Sequence, residues 1–96
     1  MLTMLRVKGA YSPTFVCDVC GEPIKNADQG MVKFMWDGSP LFFCHKRDVV
    51  SGCDRRSDDE IYPVWHELST FFVWLEANTP FDRKRAEHSA AFLERV

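Results

Sequence analysis

Hydrophobic and polar positions alternate in two short stretches of the first half of the chain, and helical periodicity enters only in the second. Over residues 4–8, Leu5 and Val7 stand on one side and Met4, Arg6 and Lys8 on the other, which predicts a strand with one wet face. Residues 9–13 read as a turn, residues 14–16 as an extended approach to the first cysteines, and residues 22–30 as a loop. Alternation returns from Met31 to Trp36, with Val32, Phe34 and Trp36 on one face and Met31, Lys33 and Met35 on the other. Asp37-Gly38-Ser39-Pro40 is turn chemistry, and the apolar run Leu41 to Cys44 follows it. Residues 31–36 and 41–45 are therefore expected to pair as a β-hairpin.

A polar run from Asp54 to Glu60 separates this half from the next. Pro63 suits the first turn of a helix, where its missing N–H costs nothing, and Asp58, Asp59 and Glu60 complement the positive end of the helix dipole. A helix is predicted over 63–77, ending at Asn78-Thr79-Pro80. At 100° per residue, Val64, Trp65, Leu68, Phe71, Phe72 and Leu75 form one broad apolar arc, whereas Val73 and Trp74 fall outside it and need a second surface. A second helix is predicted over 80–95, with Thr79 as cap and Pro80 at its first position. Phe81, Phe92 and Val96 share one side of it, with Leu93 and Ala86 beside them and Arg85 interrupting the stripe. Short connections join antiparallel neighbours, so this helix is expected to fold back on Val73 and Trp74 as a helical hairpin. The fold class expected is α+β: a β-rich module over residues 1–57 and a helical segment over residues 58–96 packing on it, one domain in all.

Length sharpens the need for something besides core packing. A chain of 96 residues buries a limited core. Aromatics at 14%, including eight Phe and three Trp, offset this in part. No apolar run approaches the roughly 20 residues of a membrane-spanning helix. The formal net charge of −2 argues against a dedicated nonspecific nucleic-acid binder, which carries surplus cations to replace counterions on phosphate. Local basic clusters exist at Lys46-Arg47, Arg55-Arg56 and Arg83-Lys84-Arg85.

The chemistry lies in Cys17-Asp18-Val19-Cys20-Gly21, the adjacent Cys44-His45 and Cys53. Two cysteines separated by two residues point inward from one tight turn toward a tetrahedral zinc. Gly21 supplies a residue tolerant of positive φ, and backbone N–H groups there can bond the thiolates. The other half of the site must come from Cys53 and one of Cys44 and His45, because successive side chains on a strand face opposite ways. Taking His45 groups it with Leu41 and Phe43 and leaves Cys44 as a small buried hydrophobe; taking Cys44 gives an all-sulfur site. Disulfides are the alternative use of four cysteines. Against them, Met1 to Ala10 carries Thr3, Arg6 and Lys8 and so lacks the unbroken apolar stretch of a secretory signal, which makes a cytoplasmic location with reduced thiols the expectation. The basic residues flanking the ligands are read as offsetting the negative charge of a thiolate-rich site.

The CxxCG knuckle, hairpin and later ligand pair resemble the treble-clef and LIM-like group of zinc fingers, and small bacterial and phage zinc proteins of unknown role. The resemblance rests on Cys17, Cys20, Gly21, Cys44 or His45, and Cys53, within residues 15–54. It implies one structural Zn²⁺ held by Cys17, Cys20, His45 and Cys53, with Cys44 as the alternative to His45. The departure is the last spacing: seven residues separate His45 from Cys53 where the LIM-like group has two, which an insertion of Arg47 to Gly52 explains, with Ser51-Gly52 supplying a second turn.

Three function classes follow. Catalytic zinc keeps an open position, and this chain has four ligands but neither HExxH nor HxE…PCxxC. His66 beside Glu67 and His88 beside Glu87 read as helix-surface residues, so no catalytic residue is expected. A zinc-stapled platform with surplus apolar helix surface suits a protein-interaction or regulatory module, through a partner or self-association, with Trp74, Val73, Met31 and Met35 as exposed candidates. The alternative is a DNA-binding regulator using Arg55, Arg56, Arg83, Lys84 and Arg85 on phosphates. Neither a membrane nor a small-molecule substrate is expected.

Overall fold

The computed structural model describes residues 1–50, 52–54 and 61–94, and the side chains of 91–94 lie outside that description. Two antiparallel sheets come first and two helices last, an α+β arrangement. Strands β1 (Leu2–Val7) and β2 (Ala10–Phe15) form a two-stranded ribbon, with Val7 opposite Ala10 and Leu2 opposite Phe15. The turn is only Lys8 and Gly9, both with positive φ (50° and 81°), the backbone that matches the twist of a hairpin. The turn expected over 9–13 is thus shorter, and Pro13 sits within a strand. A two-stranded ribbon has two edges, so Pro13 leaves no ladder bond broken on an inner side.

Strands β3 (Gly30–Phe34) and β4 (Phe42–His45) form the expected hairpin, with Gly30 opposite His45, Met31 opposite Cys44 and Val32 opposite Phe43. Trp36 falls beyond the strand and is 82% exposed. A third strand completes the sheet in the order β4-β3-β5. This is β5 (Val64–Glu67), antiparallel to β3, with Val32 opposite His66 and Phe34 opposite Val64. It corrects the helix expected from Pro63, because Val64 and Trp65 favour a strand and β3 otherwise leaves a row of unpaired backbone groups.

Helix α1 (Leu68–Asn78) starts where that pairing ends and packs across β3, β5 and a single 3₁₀ turn at Ala27–Gln29. Leu68 is its one buried residue. Gly30 is the contact point, for a Cβ there would lie 2.9 Å from both Ile24 Cγ2 and Leu68 Cδ2. The helix closes with the Thr79 N–H donating to Leu75 O (2.8 Å), one residue before Pro80. Helix α2 (Arg83–Glu94) begins three residues later than expected, because Asp82 rather than Thr79 caps it: Asp82 Oδ1 accepts from the Arg85 N–H at 3.1 Å. Residues 83–90 are exposed throughout. Arg83 bonds Glu76 of α1 at 3.1 Å.

The core joins Ile24, Met31, Val32, Phe43, Cys44 and Leu68 to Cys17 and Cys53. Phe15 ties the ribbon to the rest, its ring 4.9 Å from Phe43 and 5.3 Å, edge-on, from Phe72. Both faces of β3 are buried: Val32 and Lys33 are each 0% exposed.

Candidate metal centre

Residues 16–24 fold into a knuckle because its ends are stitched together. Val16 and Pro23 form an antiparallel bridge, the Cys17 N–H donates to Glu22 O (2.9 Å), and the Ile24 N–H donates to Phe15 O (2.7 Å). Gly21 takes φ 76° as its N–H reaches back to Cys17 O at 3.0 Å, the left-handed turn that glycine adopts without strain. The N–H groups of Val19 and Cys20 point at Cys17 Sγ, at 3.4 and 3.5 Å. Asp18 locks the knuckle onto β4 in both directions: its N–H donates to Phe43 O (2.7 Å) and its Oδ2 accepts from the Phe43 N–H (2.8 Å).

Strand β4 ends at the site, and the pleat decides between the two candidates there. His45 turns toward the knuckle, with Nδ1 3.5 Å from Cys20 Sγ. Its Nε2 lies 3.2 Å from Pro23 O, where an Nε2–H donor leaves Nδ1 as the free lone pair for a metal. Cys44 faces the opposite side and is fully buried in the core cluster. Cys53 comes from the loop after β4, which begins with the Lys46 N–H on Gln29 O (2.9 Å). No disulfide joins any of the four cysteines.

The donor atoms of Cys17, Cys20, His45 and Cys53 all lie within 4.8 Å of one another. A tetrahedral zinc with Zn–S near 2.3 Å and Zn–N near 2.0 Å places its donors roughly 3.5–3.8 Å apart, so the set fits one such ion. Three of the four residues are buried and Cys20 forms the exposed rim. The acidities of two of the thiols diverge. Burial pushes the Cys17 thiol up, yet the backbone N–H groups of Cys20, His45 and Val19 and the His45 side chain outweigh it, lowering the thiol to about 6. Burial, reinforced by the Cys17 and Cys20 sulfurs, pushes Cys53 up to about 12. Protein groups alone leave the Cys53 thiol protonated near neutral pH, and a divalent cation bound among the sulfurs would favour its thiolate.

Other expected positions fall into place unevenly. Val73 and Trp74 are exposed on α1, with Trp74 edge-on to His66 at 4.5 Å, and Met35 is exposed at the end of β3. Met31 is a correction: it lies in the core cluster, because β3 is the central strand and its residues are buried on both faces, not on one as in an exposed hairpin. His66, expected on a helix, lies on β5 between Phe34 and Trp74. Arg83 pairs with Glu76 and stacks over Phe81, while Lys84 and Arg85 are exposed on α2. Arg55 and Arg56 lie outside the described residues, as do Val96 and the side chains of Phe92 and Leu93. The flanking Lys46 is engaged with Glu67 at 3.0 Å, and Arg47 lies 3.9 Å from Asp54.

Sequence reasoning missed three supporting groups: Asp18 as the tie to β4, the Pro23 carbonyl behind His45, and the ion pair of Lys33 with Asp54 at 2.7 Å. A lysine between Met31 and Met35 in an otherwise apolar strand was the available signal for the last. Comparison with protein-family models, curated proteins and solved structures finds no match. Among the described residues, no helix is long and apolar enough to cross a membrane.

Proposed function

We propose that this chain is a small structural-zinc protein whose metal staples a platform for binding protein, either a second copy or a partner, with no catalytic step. The carrying observation is the four-donor set itself: Cys17, Cys20, His45 and Cys53 supply every ligand a tetrahedral zinc takes, so no position is left for substrate or an activated water. The order of knuckle, hairpin and loop supports a treble-clef-like arrangement. When bound, zinc would supply cohesion, holding the knuckle, the end of β4 and the following loop together.

The interaction reading draws on what the staple leaves uncovered. Phe72, Val73, Trp74 and Leu75 are consecutive exposed residues of α1, and Phe81 continues the surface. A groove of about 500 Å³ runs between Phe72, Leu75, Thr79 and Phe81. The radius of gyration, 15.2 Å, exceeds the about 13 Å of a compact 100-residue domain, consistent with much surface left unburied. Aromatic anchors of this kind dominate interface energetics.

Native protein is expected to hold one zinc per chain and to show a mass above the 11.1 kDa of a single chain in light scattering, alone or with a captured partner. Trp74→Ala and Val73→Glu should both lower association while keeping the zinc. Val73 is 66% exposed, so its variant separates association from folding. A monomer that captures nothing, and whose Trp74→Ala variant unfolds, would assign Trp74 to intramolecular packing and remove the interaction reading.

A further inference from the structure

Cys53 is the ligand with the least regular support. Cys17 and Cys20 sit in a knuckle closed by backbone bonds, and His45 ends a strand paired to β3. Cys53 lies in a loop, its N–H reaching Val50 O at a long 3.4 Å. The next residue, Asp54, makes the short contact: its Oδ1 accepts from Lys33 Nζ at 2.7 Å, and its Oδ2 lies 3.9 Å from Arg47. Lys33 is wholly buried, a costly placement for an ammonium unless it is paired. It also stands in the middle of β3, the central strand of the sheet, opposite Phe42 on one neighbour and Trp65 on the other.

We propose that Lys33 and Asp54 are positioning residues of the metal site, an ionic latch that fastens the Cys53 loop to the central strand and so sets how tightly the ion is held. This rests on the zinc reading above. A backbone tie of one residue leaves Cys53 Sγ little freedom once Asp54 is fixed, so the entropy of ordering the fourth ligand is met during folding rather than during metal binding. Supporting residues behind metal ligands typically change affinity 10–100-fold when lost. A buried lysine retained for cohesion alone would be replaceable by a hydrophobe, whereas a latch would not be, because methionine offers nothing to Asp54.

The test compares wild type, Asp54→Asn and the double variant K33M/D54N by competition of zinc with a chromophoric chelator, with the cobalt(II) spectrum as readout of ligand geometry and urea unfolding as readout of the fold. Both variants are expected to bind zinc about 10–100-fold more weakly, with a weakened sulfur-to-cobalt band. K33M/D54N should regain stability without regaining affinity. Affinity within threefold of wild type in Asp54→Asn, or affinity restored along with stability in the double variant, overturns the latch. So does failure of both variants to fold at saturating zinc, since the pair would then be holding the sheet rather than the ligand. Wild-type protein that takes up neither ion defeats the zinc reading itself, a separate outcome.

Discussion

Neighbouring residues of β4 have opposite fates. His45 and Cys44 are both buried and both chemically able to ligate, yet the pleat gives the cluster only His45. Cys44→Ala should therefore keep full zinc content in elemental analysis and lose about 1 kcal/mol by urea unfolding, the cost of a small buried group. Cys53→Ser should lose zinc affinity by on the order of a hundredfold or more, because one of four ligands is gone from a site whose total binding energy is large. The two cysteines of the site that shift their acidity do so in opposite senses. In zinc-free protein the Cys17 thiol, lowered from 9.0 to about 6, makes the unfolded chain bind more protons between those values. Its contribution to stability is thus complete above pH 9 and lost as the pH falls through about 6. Cys53, raised from 9.0 to about 12, acts the other way: the folded chain holds its proton longer, so stability falls as the pH climbs from 9 toward 12. Urea midpoints of zinc-free protein should accordingly rise from pH 6 to 9 and drop beyond it. Bound zinc, which keeps Cys53 as thiolate, should remove the drop.

At the scale of elements, the least expected feature is that β5 and α1 share one apolar stretch. Val64, Trp65, Leu68, Phe71, Phe72 and Leu75 satisfy a helical wheel, and nothing local forbids a helix from Pro63 onward. The competing state is nonlocal: β3 offers backbone partners to Val64–Glu67, and only after Glu67 does the chain turn helical. The 31–36/41–45 hairpin was legible because a turn signal lies between two short runs, so its pairing is local. Where helix and sheet meet, Gly30 is required for space rather than for backbone freedom, its φ of −119° being open to any residue. Gly30→Ala would press a methyl onto Ile24 and Leu68 and should cost about 1–3 kcal/mol in urea unfolding, with zinc content unchanged.

Across the whole molecule, the metal site and the apolar core are one structure. Cys17 and Cys53 belong to the same buried cluster as Val32, Phe43 and Leu68, so the ligand set and the core share their contacts. Chelation should therefore do more than empty a site. Treatment with a strong chelator is expected to weaken the near-ultraviolet circular dichroism of the aromatic cluster and to lower the Tm by about 4–8 °C for each kcal/mol of binding energy removed. Protein that keeps its aromatic signal and its Tm without metal would show that the core stands alone. The exposed run Phe72 to Leu75 belongs to this scale too, since Leu68 is the one residue of α1 that is fully buried and residues 83–90 of α2 bury none of the run completely.

What the sequence determined by itself is the chemistry and its local frame: a CxxCG knuckle, a turn-separated hairpin, a late cysteine and two helices, each specified by residues close together in the chain. The tertiary structure decided the rest. It turned His45 rather than Cys44 inward through the pairing of β4, recruited residues 64–67 as a strand, and buried Lys33 against Asp54. These outcomes depend on backbone partners and charges many residues away, whose free energy appears only when distant segments meet.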